Sequence, residues 1–250
     1  MLSDTEMHVA QALRQAKRVT VLSGAGISAE SGLPTFRDPL TGYWSKFRPE
    51  DLATPIAFRR NPELVWRWYC ERRAAARAAK PNPGHLAITK LQSIVPAVTI
   101  VTQNVDGLHQ SASSTNVIEL HGSIHATRCF DRDHVMELNP EEDSPDRHPA
   151  CPLCGSLARP GVVWFGEMLP EEALARSISA ANECDVMLVV GTSGIVQPAA
   201  SLGSRALSHG AVVAVVNPDP RSVMTGGVFL EGPAGSMLPR LIDAAWPDSK

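Results

Sequence analysis

The sequence predicts an α/β fold in which a parallel sheet carries helices on both faces and a smaller domain is inserted beside it. Short, continuous runs of β-branched and apolar residues recur along the chain, as is typical of strands buried on both faces. Helical patterns lie between several of these runs, and strands that alternate with helices indicate an α/β architecture. Two segments, 37–80 and 123–160, break the alternation, and we expect them to form the smaller domain.

Each predicted helix begins at a proline, which is favourable at the first helical position because its missing N–H is not needed there. The predicted strands are 19–23, 98–103, 117–120, 186–191 and 211–217, and the predicted helices are 62–79, 83–94, 170–182 and 198–209. The larger domain then comprises residues 1–36, 81–122 and 161–250. Residues 37–80 form a helical insertion, and residues 123–160 form a second insertion that holds most of the cysteines.

Composition limits the possible partners. The 250 residues are 44% hydrophobic and carry a formal net charge of −3, so the chain can bury a sizeable core and has no bulk attraction to nucleic acid. The polar N-terminus has no apolar stretch of signal-peptide length, and no apolar run could span a bilayer. We therefore expect a soluble, cytoplasmic protein without nucleic-acid or membrane partners. The five cysteines, an odd number without an export signal, favour free or metal-bound thiols over disulfides.

A glycine-rich loop follows the first predicted strand. Gly24, Ala25, Gly26, Ser28 and Ala29 fit the pattern G-x-G-x-x-A, in which glycine permits a tight turn and lets the backbone approach a pyrophosphate. The pattern alone is equally compatible with a simple turn between a strand and a helix. A dehydrogenase would carry an acidic residue about 20 residues further on, at the end of a second strand. That region here, "GLPTFRDPLTGYW", has the character of a loop. The loop therefore predicts dinucleotide binding without hydride transfer.

Polar side chains also follow other predicted strands. Gln103, Asn104 and Asp106 lie at the end of one strand, and His121 directly follows another. Open α/β sheets bind ligands at the carboxyl ends of their strands, so these residues are candidates for a ligand site. The simpler alternatives are an ordinary polar loop and a structural histidine. A histidine in such a cleft can titrate near neutrality and act as a base.

Seven motifs extend this pattern over nearly the whole chain. They are "GAGISAESGLPTFRD" at 24–38, "TQNVDGLH" at 102–109, "HG" at 121–122, "CPLC" at 151–154, "RPGVVWFGE" at 159–167, "GTSGIVQPAA" at 191–200 and "VN" at 216–217. In this order they resemble the motifs of the sirtuins, a family of NAD-dependent protein deacylases. The resemblance implies a Rossmann-like NAD domain, a small zinc domain, and a cleft between them that takes the acyl-lysine side chain of a protein substrate.

The resemblance also implies roles for particular residues. His121 is the catalytic base, and Asn104 and Asp106 handle nicotinamide and its ribose. The segment "VVWFGE" should lie extended and pair with substrate backbone, with substrate contacts at Val163, Phe165, Gly166 and Glu167. The implied NAD contacts are Gly24, Ala25, Gly26, Ser28, Ala29, Phe36, Arg37, Trp44, Gln103, Asn104, Val105, Asp106, Gly191, Thr192, Ser193, Asn217, Pro218, Asp219 and Ala234.

The implied mechanism consumes NAD as a substrate. NAD loses nicotinamide, the acyl carbonyl oxygen captures C1′ of the ribose, and His121 takes a proton from a ribose hydroxyl. Migration of the acyl group and attack by water then give free lysine and O-acyl-ADP-ribose. Mono-ADP-ribosyl transfer on the same site remains an alternative, as does an NAD or ADP-ribose sensor without catalysis. A zinc-ribbon module for nucleic acid is disfavoured by the acidic residues Glu141, Glu142, Asp143 and Asp146.

The cysteines depart from the pattern that the resemblance implies. Structural zinc usually takes four Cys or His ligands, which two C-x-x-C pairs would supply. Cys151 and Cys154 form one pair, but Cys129 is followed by Arg132 where a thiol would be expected. We expect zinc at Cys129, Cys151 and Cys154, the alternative being three reduced thiols. The fourth ligand stays open among His134, Asp131, Asp133 and His148.

The stretch "WYCER" at 68–72 lies in the predicted helix 62–79, where residues three apart share a face. Helix geometry alone favours a packed Trp66 and Tyr69, with Arg72 and Arg73 in solvent. In the desuccinylase group of sirtuins, a Tyr-x-x-Arg pair on this helix binds the acyl carboxylate, and an alanine in the phosphate loop leaves room for the longer chain. Tyr69, Arg72 and Ala29 match that description, so the resemblance predicts removal of succinyl as well as acetyl groups.

Overall fold

A computed structural model describes residues 2–35 and 45–247. The helices among these residues are α1 (Asp4–Gln15), α2 (Gly26–Ala29), α3 (Pro49–Leu52), α4 (Pro55–Arg60), α5 (Pro62–Ala78), α6 (Pro83–Ile94), α7 (Leu108–Ser111), α8 (Glu171–Glu183), α9 (Ser201–Ser208) and α10 (Ala234–Ala245). The strands are β1 (Arg18–Ser23), β2 (Ala97–Thr102), β3 (Val117–Glu119), β4 (Gly122–Cys129), β5 (Val135–Met136), β6 (Ala158–Val162), β7 (Val186–Val190), β8 (Val212–Asn217) and β9 (Val228–Glu231).

Six strands form one parallel sheet in the order β3-β2-β1-β7-β8-β9. From the central strand β1 the chain moves outward to β2 and β3 on one side, and it later returns to build β7, β8 and β9 on the other. Ser23, at the end of β1, is in register with Thr102 of β2 and with Val190 of β7. The carboxyl ends of the strands therefore meet at one edge, and the strand order reverses beside β1, which is where open α/β sheets bind ligands.

The apolar runs are continuous because each strand is buried on both faces. On β1, Val19 and Val21 pack into the layer formed with α1, α6 and α10, whereas Leu22 packs into the opposite layer with α8 and α9. The same alternation holds on β7, where Leu188 faces the first layer and Met187 the second. The α/β prediction, with helices on both faces of a parallel sheet, is confirmed.

A second core lies beside the large sheet. Strands β5, β4 and β6 form a small antiparallel sheet, and residues of α4 and α5 pack against it around Phe58, Trp68, Ile124 and Trp164. The segments 37–80 and 123–160 thus contribute to a common core. The division of the chain into two domains at the predicted boundaries stays a prediction. Within the described residues, no helix is both long and apolar enough to cross a membrane.

Two local expectations were wrong. Arg73 is not in solvent: it is 1% exposed, its Nε donates to the carbonyl of Ile124 at 2.7 Å, and its guanidinium pairs with Asp143. The segment "VVWFGE" is not extended throughout, because β6 ends at Val162 and the N–H of Glu167 closes a turn on the carbonyl of Trp164 at 3.0 Å. At Arg73 a tertiary contact overrides the local helix pattern, which carries no information about a distant partner. At Glu167 the strand ends in a local turn between residues three apart.

Candidate functional site

The phosphate loop packs against the loop that follows β7. The N–H of Gly24 donates to the carbonyl of Val190 at 3.0 Å, and the N–H of Gly26 donates to the carbonyl of Gly191 at 2.8 Å. A Cβ at Gly24 would lie 2.8 Å from the side chain of Thr192, and one at Gly26 would lie 2.7 Å from the carbonyl oxygen of Gly191. Glycine is therefore required where two backbone segments meet. One helical turn, Gly26–Ala29, follows the loop.

Ser28 joins the phosphate loop to the loop after β2. Its hydroxyl donates to Oδ2 of Asp106 at 2.8 Å and accepts from Nδ2 of Asn104 at 3.1 Å. The other carboxylate oxygen of Asp106 accepts from the N–H of Leu108 at 2.9 Å. Asn104 and Ser28 are buried, so the geometry of these three side chains is fixed by their mutual hydrogen bonds. The structure thus joins Asn104 and Asp106, which the resemblance places at nicotinamide and its ribose, to Ser28 of the phosphate loop.

Thr192 connects this side of the site to the strands β7 and β8. Its hydroxyl accepts from Nε2 of Gln103 at 3.0 Å, and its carbonyl accepts from Nδ2 of Asn217 at 2.9 Å. Oδ1 of Asn217 in turn accepts from the N–H of Asp219 at 3.0 Å. A continuous row of polar side chains therefore crosses the carboxyl edge of the sheet from β2 to β8. Because this row passes the ends of several strands, it can contact an extended ligand along its length.

The remaining predicted NAD contacts divide into two groups. Five of the described contacts lie in the loops at the same carboxyl edge, namely Ala25, Val105, Ser193, Pro218 and Asp219. Ala234 is buried at the start of α10, and Ala29 is exposed at the end of α2. Phe36, Arg37 and Trp44 lie outside the described residues.

Glu30, which the sequence reasoning did not single out, fixes α10 beside the phosphate loop, because its Oε2 accepts from the N–H of Gly235 at 2.7 Å.

His121 follows β3 at the junction of two loops. Its Nδ1 lies 3.0 Å from the carbonyl oxygen of Gln103, and its own carbonyl accepts from the N–H of Val163 at 2.9 Å. Because a carbonyl oxygen can only accept, Nδ1 carries the ring proton and Nε2 presents a lone pair. Burial lowers the pKa of His121 below its usual value of 6.5, against the opposing hydrogen bond to Gln103. The ring is therefore neutral at pH 7, as a proton acceptor must be.

The segment that follows β6 is held by an ion pair. Arg159 makes two hydrogen bonds to the carboxylate of Glu167, at 2.6 and 2.9 Å, and its guanidinium carbon lies 3.5 Å from the ring centroid of Trp164. Glu167 also accepts from the N–H of Trp164 at 2.8 Å. Its carboxylate is thus committed to the loop itself, while Phe165 and Gly166 stand exposed at the tip of the turn. This arrangement places Val163 beside His121, whereas the N–H of Phe165 donates to the carbonyl of Ala53 at 2.9 Å.

Tyr69 and Arg72 occupy neighbouring turns of α5. The hydroxyl oxygen of Tyr69 accepts from Nε1 of Trp164 at 3.0 Å, and burial raises the pKa of Tyr69 to about 12. The phenol therefore stays protonated and its own O–H remains a donor. The guanidinium carbon of Arg72 lies 4.6 Å from the ring centroid of Trp68. Burial lowers the pKa of Arg72, and the phenol of Tyr69 and the carboxylate of Asp106 oppose this. Arginine stays charged even so.

A metal-ligating cluster lies in the small sheet. Ligand atoms of Cys129, His134, Cys151 and Cys154 all lie within 4.8 Å of one another. The thiols of Cys154 and Cys129 are 3.6 Å apart, and Nδ1 of His134 is 3.5 Å from the thiol of Cys151. Tetrahedral zinc with Zn–S bonds near 2.3 Å places neighbouring ligands roughly 3.8 Å apart, so the four side chains fit zinc. His134 thus lies where it could supply the fourth ligand that Arg132 cannot.

The other candidates for the fourth ligand are engaged elsewhere or have no place in the cluster. Nε2 of His148 donates to the carbonyl of Ala158 at 2.7 Å, and its ring stacks on Trp66 with centroids 5.0 Å apart. The carboxylate of Asp133 pairs with Arg128 at 2.6 Å. Asp131 is exposed, and it does not belong to the group of close ligand atoms found among the described residues.

We expect His134→Ala to lower the zinc content of the protein from about one ion per chain to well below one, because three thiolates alone leave a tetrahedral site incomplete. Elemental analysis of protein purified without chelator measures the content. His148→Ala is the matched control, since it removes a half-buried histidine that contacts Ala158 rather than the cluster. Full zinc in His134→Ala would move the fourth ligand to another side chain.

Comparison with known proteins agrees with this geometry. Residues 24–198 match the model of the Sir2 family. The chain is 54% identical over 232 residues to an NAD-dependent protein deacylase of Ralstonia nicotianae, covering 92% of this chain and 93% of that protein. It is 50% identical to NAD-dependent protein deacylase 1 of Pseudomonas aeruginosa, with 96% and 98% of the two chains covered.

Solved structures give the same result. A Sir2 homologue crystallised in complex with NAD superimposes with a TM-score of 0.87 at 41% identity, covering 95% of this chain and 93% of the other. Sir2Af2 bound to a myristoylated histone peptide superimposes with a TM-score of 0.79 at 34% identity, covering 98% and 97%. The family match spans well over half of the chain, and the relatives match nearly all of it, so this protein belongs to the Sir2 family.

Proposed function

We propose that the protein is an NAD-dependent protein-lysine deacylase that removes succinyl groups, and also acetyl groups, from lysines of protein substrates. Its products are nicotinamide, free lysine and O-acyl-ADP-ribose. The observation that carries the proposal is the meeting of two loops at His121, one from the nicotinamide side through Gln103 and one from the substrate side through Val163. The names of the relatives and the NAD and acyl-peptide complexes of similar structures support it.

The polar row at the sheet edge binds the NAD. The backbone around Gly24 and Gly26 faces the pyrophosphate, and Asn217, at the end of β8, contacts the ribose on the adenosine side. Ser28, Asn104 and Asp106 contact the nicotinamide half. Their mutual hydrogen bonds at 2.8 and 3.1 Å hold them in place before the ligand arrives, so little ordering is required on binding.

His121 moves the proton. After the acyl oxygen has displaced nicotinamide at C1′, Nε2 of His121 accepts a proton from the ribose hydroxyl chain, while Nδ1–H stays on the carbonyl of Gln103. That hydrogen bond fixes the tautomer and also stabilises the positive charge which the ring then acquires. Neutrality at pH 7 follows from the lowered pKa, so the base needs no prior deprotonation.

The acyl pocket recognises a terminal carboxylate. A succinyl group cannot leave its carboxylate unpaired in a buried tunnel. Arg72 supplies a planar, permanently charged fork, and the O–H of Tyr69 supplies a further donor because its oxygen already accepts from Trp164. Trp164 is itself fixed by Arg159 and Glu167. An acetyl group makes neither polar contact and needs only the apolar walls.

The direct test is to incubate the protein with NAD and a panel of acyl-lysine peptides and to quantify nicotinamide and free lysine. Equal amounts of the two products, with succinyl-lysine among the accepted substrates, are expected. Nicotinamide release with ADP-ribose attached to protein would identify a mono-ADP-ribosyltransferase. NAD binding without any nicotinamide release would identify a sensor.

A further inference from the structure

Two buried histidines lie between the phosphate loop and the loop that bears Asn104, and the proposed chemistry uses neither. His85 stands in the first turn of α6 and His109 in α7, and their rings meet edge to face with centroids 5.0 Å apart. His85 is 0% and His109 1% exposed. Nε2 of His85 and Nδ1 of His109 have no hydrogen-bond partner among the described residues. Buried polar atoms are rarely left unpaired, so this pair needs an explanation.

The tautomer of His109 follows from its neighbour. The hydroxyl of Ser23 donates its one proton to Oγ1 of Thr102 at 2.9 Å, so the same oxygen can only accept from Nε2 of His109, which is 2.8 Å away. His109 therefore carries its proton on Nε2. Its unpaired Nδ1 presents a lone pair, which is an acceptor.

The tautomer of His85 follows in the same way. The backbone N–H of Asn82 points at Nδ1 of His85 over 3.4 Å and can only donate, so Nδ1 accepts and the ring proton is on Nε2. The unpaired atom of His85 is thus a donor, and the unpaired atom of His109 is an acceptor. The two deficits are complementary, and a single water hydrogen-bonded to both nitrogens would satisfy both.

We propose that His85 and His109 form a neutral relay, bridged by one buried water, that positions the loop of Asn104 against the phosphate loop. The water accepts from Nε2–H of His85 and donates to Nδ1 of His109. Beyond His109 the relay continues through Ser23 to Thr102, whose hydroxyl oxygen accepts from the N–H of Asn104 at 3.1 Å. The inference rests on the proposed contact between Asn104 and nicotinamide.

The other end of the relay is tied to the phosphate loop. Nδ2 of Asn82 donates to the carbonyl of Ile27 at 2.6 Å and to the hydroxyl of Ser31 at 3.0 Å. Ser28, between these two residues, contacts Asn104 directly. The relay therefore closes a ring of hydrogen bonds around the nicotinamide side of the site, and His85 and His109 act as positioning residues.

The relay requires both rings to be neutral. A proton added to Nδ1 of His109 would turn this nitrogen into a donor, and it would then face the O–H of the water, which is also a donor. Burial lowers the pKa of His85 to about 4 and that of His109 to about 3, with the carboxylate of Asp106 opposing the shift at His85 and His85 adding to the shift at His109. Both rings are thus neutral throughout the range in which the enzyme is assayed.

Nitrogen NMR of the histidine rings in the wild-type protein tests the tautomers without any reference to activity. We expect both rings as Nε2–H tautomers from pH 8 down to about pH 5, with no titration in that range. An Nδ1–H tautomer at either ring, or titration of either ring above pH 5, overturns the relay. The NMR measurement does not depend on activity. If the protein released no nicotinamide, the proposed function would be wrong, but the NMR spectra would still show whether the relay exists.

A double-mutant cycle tests the coupling through kcat and KM for NAD in nicotinamide release. His85→Leu and His109→Leu should each lower kcat by roughly tenfold, and the double variant should be no slower than the worse single variant, because either change breaks the same chain. Losses that multiply in the double variant contradict the relay. His85→Gln keeps a donor near the Nε2 position and should retain more activity than His85→Leu.

His148→Leu is the control for burial alone. His148 also has a buried Nδ1 without a partner among the described residues, but its ring stacks on Trp66 of α5. Its replacement should lower the melting temperature and leave kcat unchanged. A fall in kcat as large as that of His109→Leu would show that any histidine with a buried, unpartnered ring nitrogen matters equally, and the relay would be rejected.

Discussion

Replacing His121 with alanine is expected to lower kcat/KM for deacylation by about 100- to 10,000-fold, the usual contribution of a positioned general base. The variant should still fold and bind NAD, because Ser28, Asn104, Asp106 and the phosphate loop are held by hydrogen bonds that do not include the imidazole. Free lysine released per minute measures the loss, and the shift of the melting temperature with NAD measures binding. His8→Ala, which removes an exposed histidine of α1, is the matched control.

The pH dependence of the wild type carries the same test further. The base is active when neutral, and burial lowers the pKa of His121 below 6.5. Activity is therefore full above the lowered pKa and lost as the pH falls through it, so the acid limb of kcat/KM should lie below pH 6.5. A His121→Ala enzyme with wild-type turnover, or an unchanged acid limb in its residual activity, would remove His121 from the mechanism.

Local patterns predicted the large sheet well because its strands are short, apolar and buried on both faces. The predicted helix 83–94 agrees with α6 at both ends, where Asn82 caps it and Pro83 begins it. The predicted helix 198–209 is shortened to Ser201–Ser208. Several elements were not predicted, among them α1, β9 and α10 around the large sheet and all three strands of the small sheet. A signal existed for α1, since Ser3 and Glu6 form a capping box.

The sequence predicts which residues lie at the edge of the sheet, but it does not predict which side chains bond to each other there. The strand ends placed Asn104, Asp106 and His121 at one edge, but nothing in the sequence joins Ser28 to Asp106, or Trp164 to Tyr69 across 95 positions. His134 could be named as a zinc ligand only together with three other candidates, because the turn between Cys129 and His134 sets which side chain returns to the thiols. Such pairings depend on tertiary geometry, which local propensity does not encode.

Arg72→Met is expected to lower kcat/KM for succinyl-lysine peptides by roughly 10- to 150-fold, because a hydrogen bond to a charged group contributes about 1.5–3 kcal/mol. Deacetylation should change little, since an acetyl group has no carboxylate. Methionine keeps much of the length and apolar bulk of the arginine side chain and removes the charged guanidinium, whose carbon lies 4.6 Å from the ring centroid of Trp68. Arg67→Met is the matched control, because it removes one charge from an exposed position of the same helix.

Tyr69→Phe separates the two donors of the acyl pocket. It removes the O–H that the protonated phenol offers, and it also leaves Nε1 of Trp164 without the acceptor that lies 3.0 Å away in the wild type. We therefore expect a selective loss on succinyl peptides together with a small fall in melting temperature, whereas Arg72→Met should show the selective loss with less change in stability. The ratio of kcat/KM for succinyl and acetyl peptides is the deciding quantity. If Arg72→Met lowers both equally, or neither, the arginine serves packing against Trp68 rather than carboxylate recognition, and the protein is a general deacetylase.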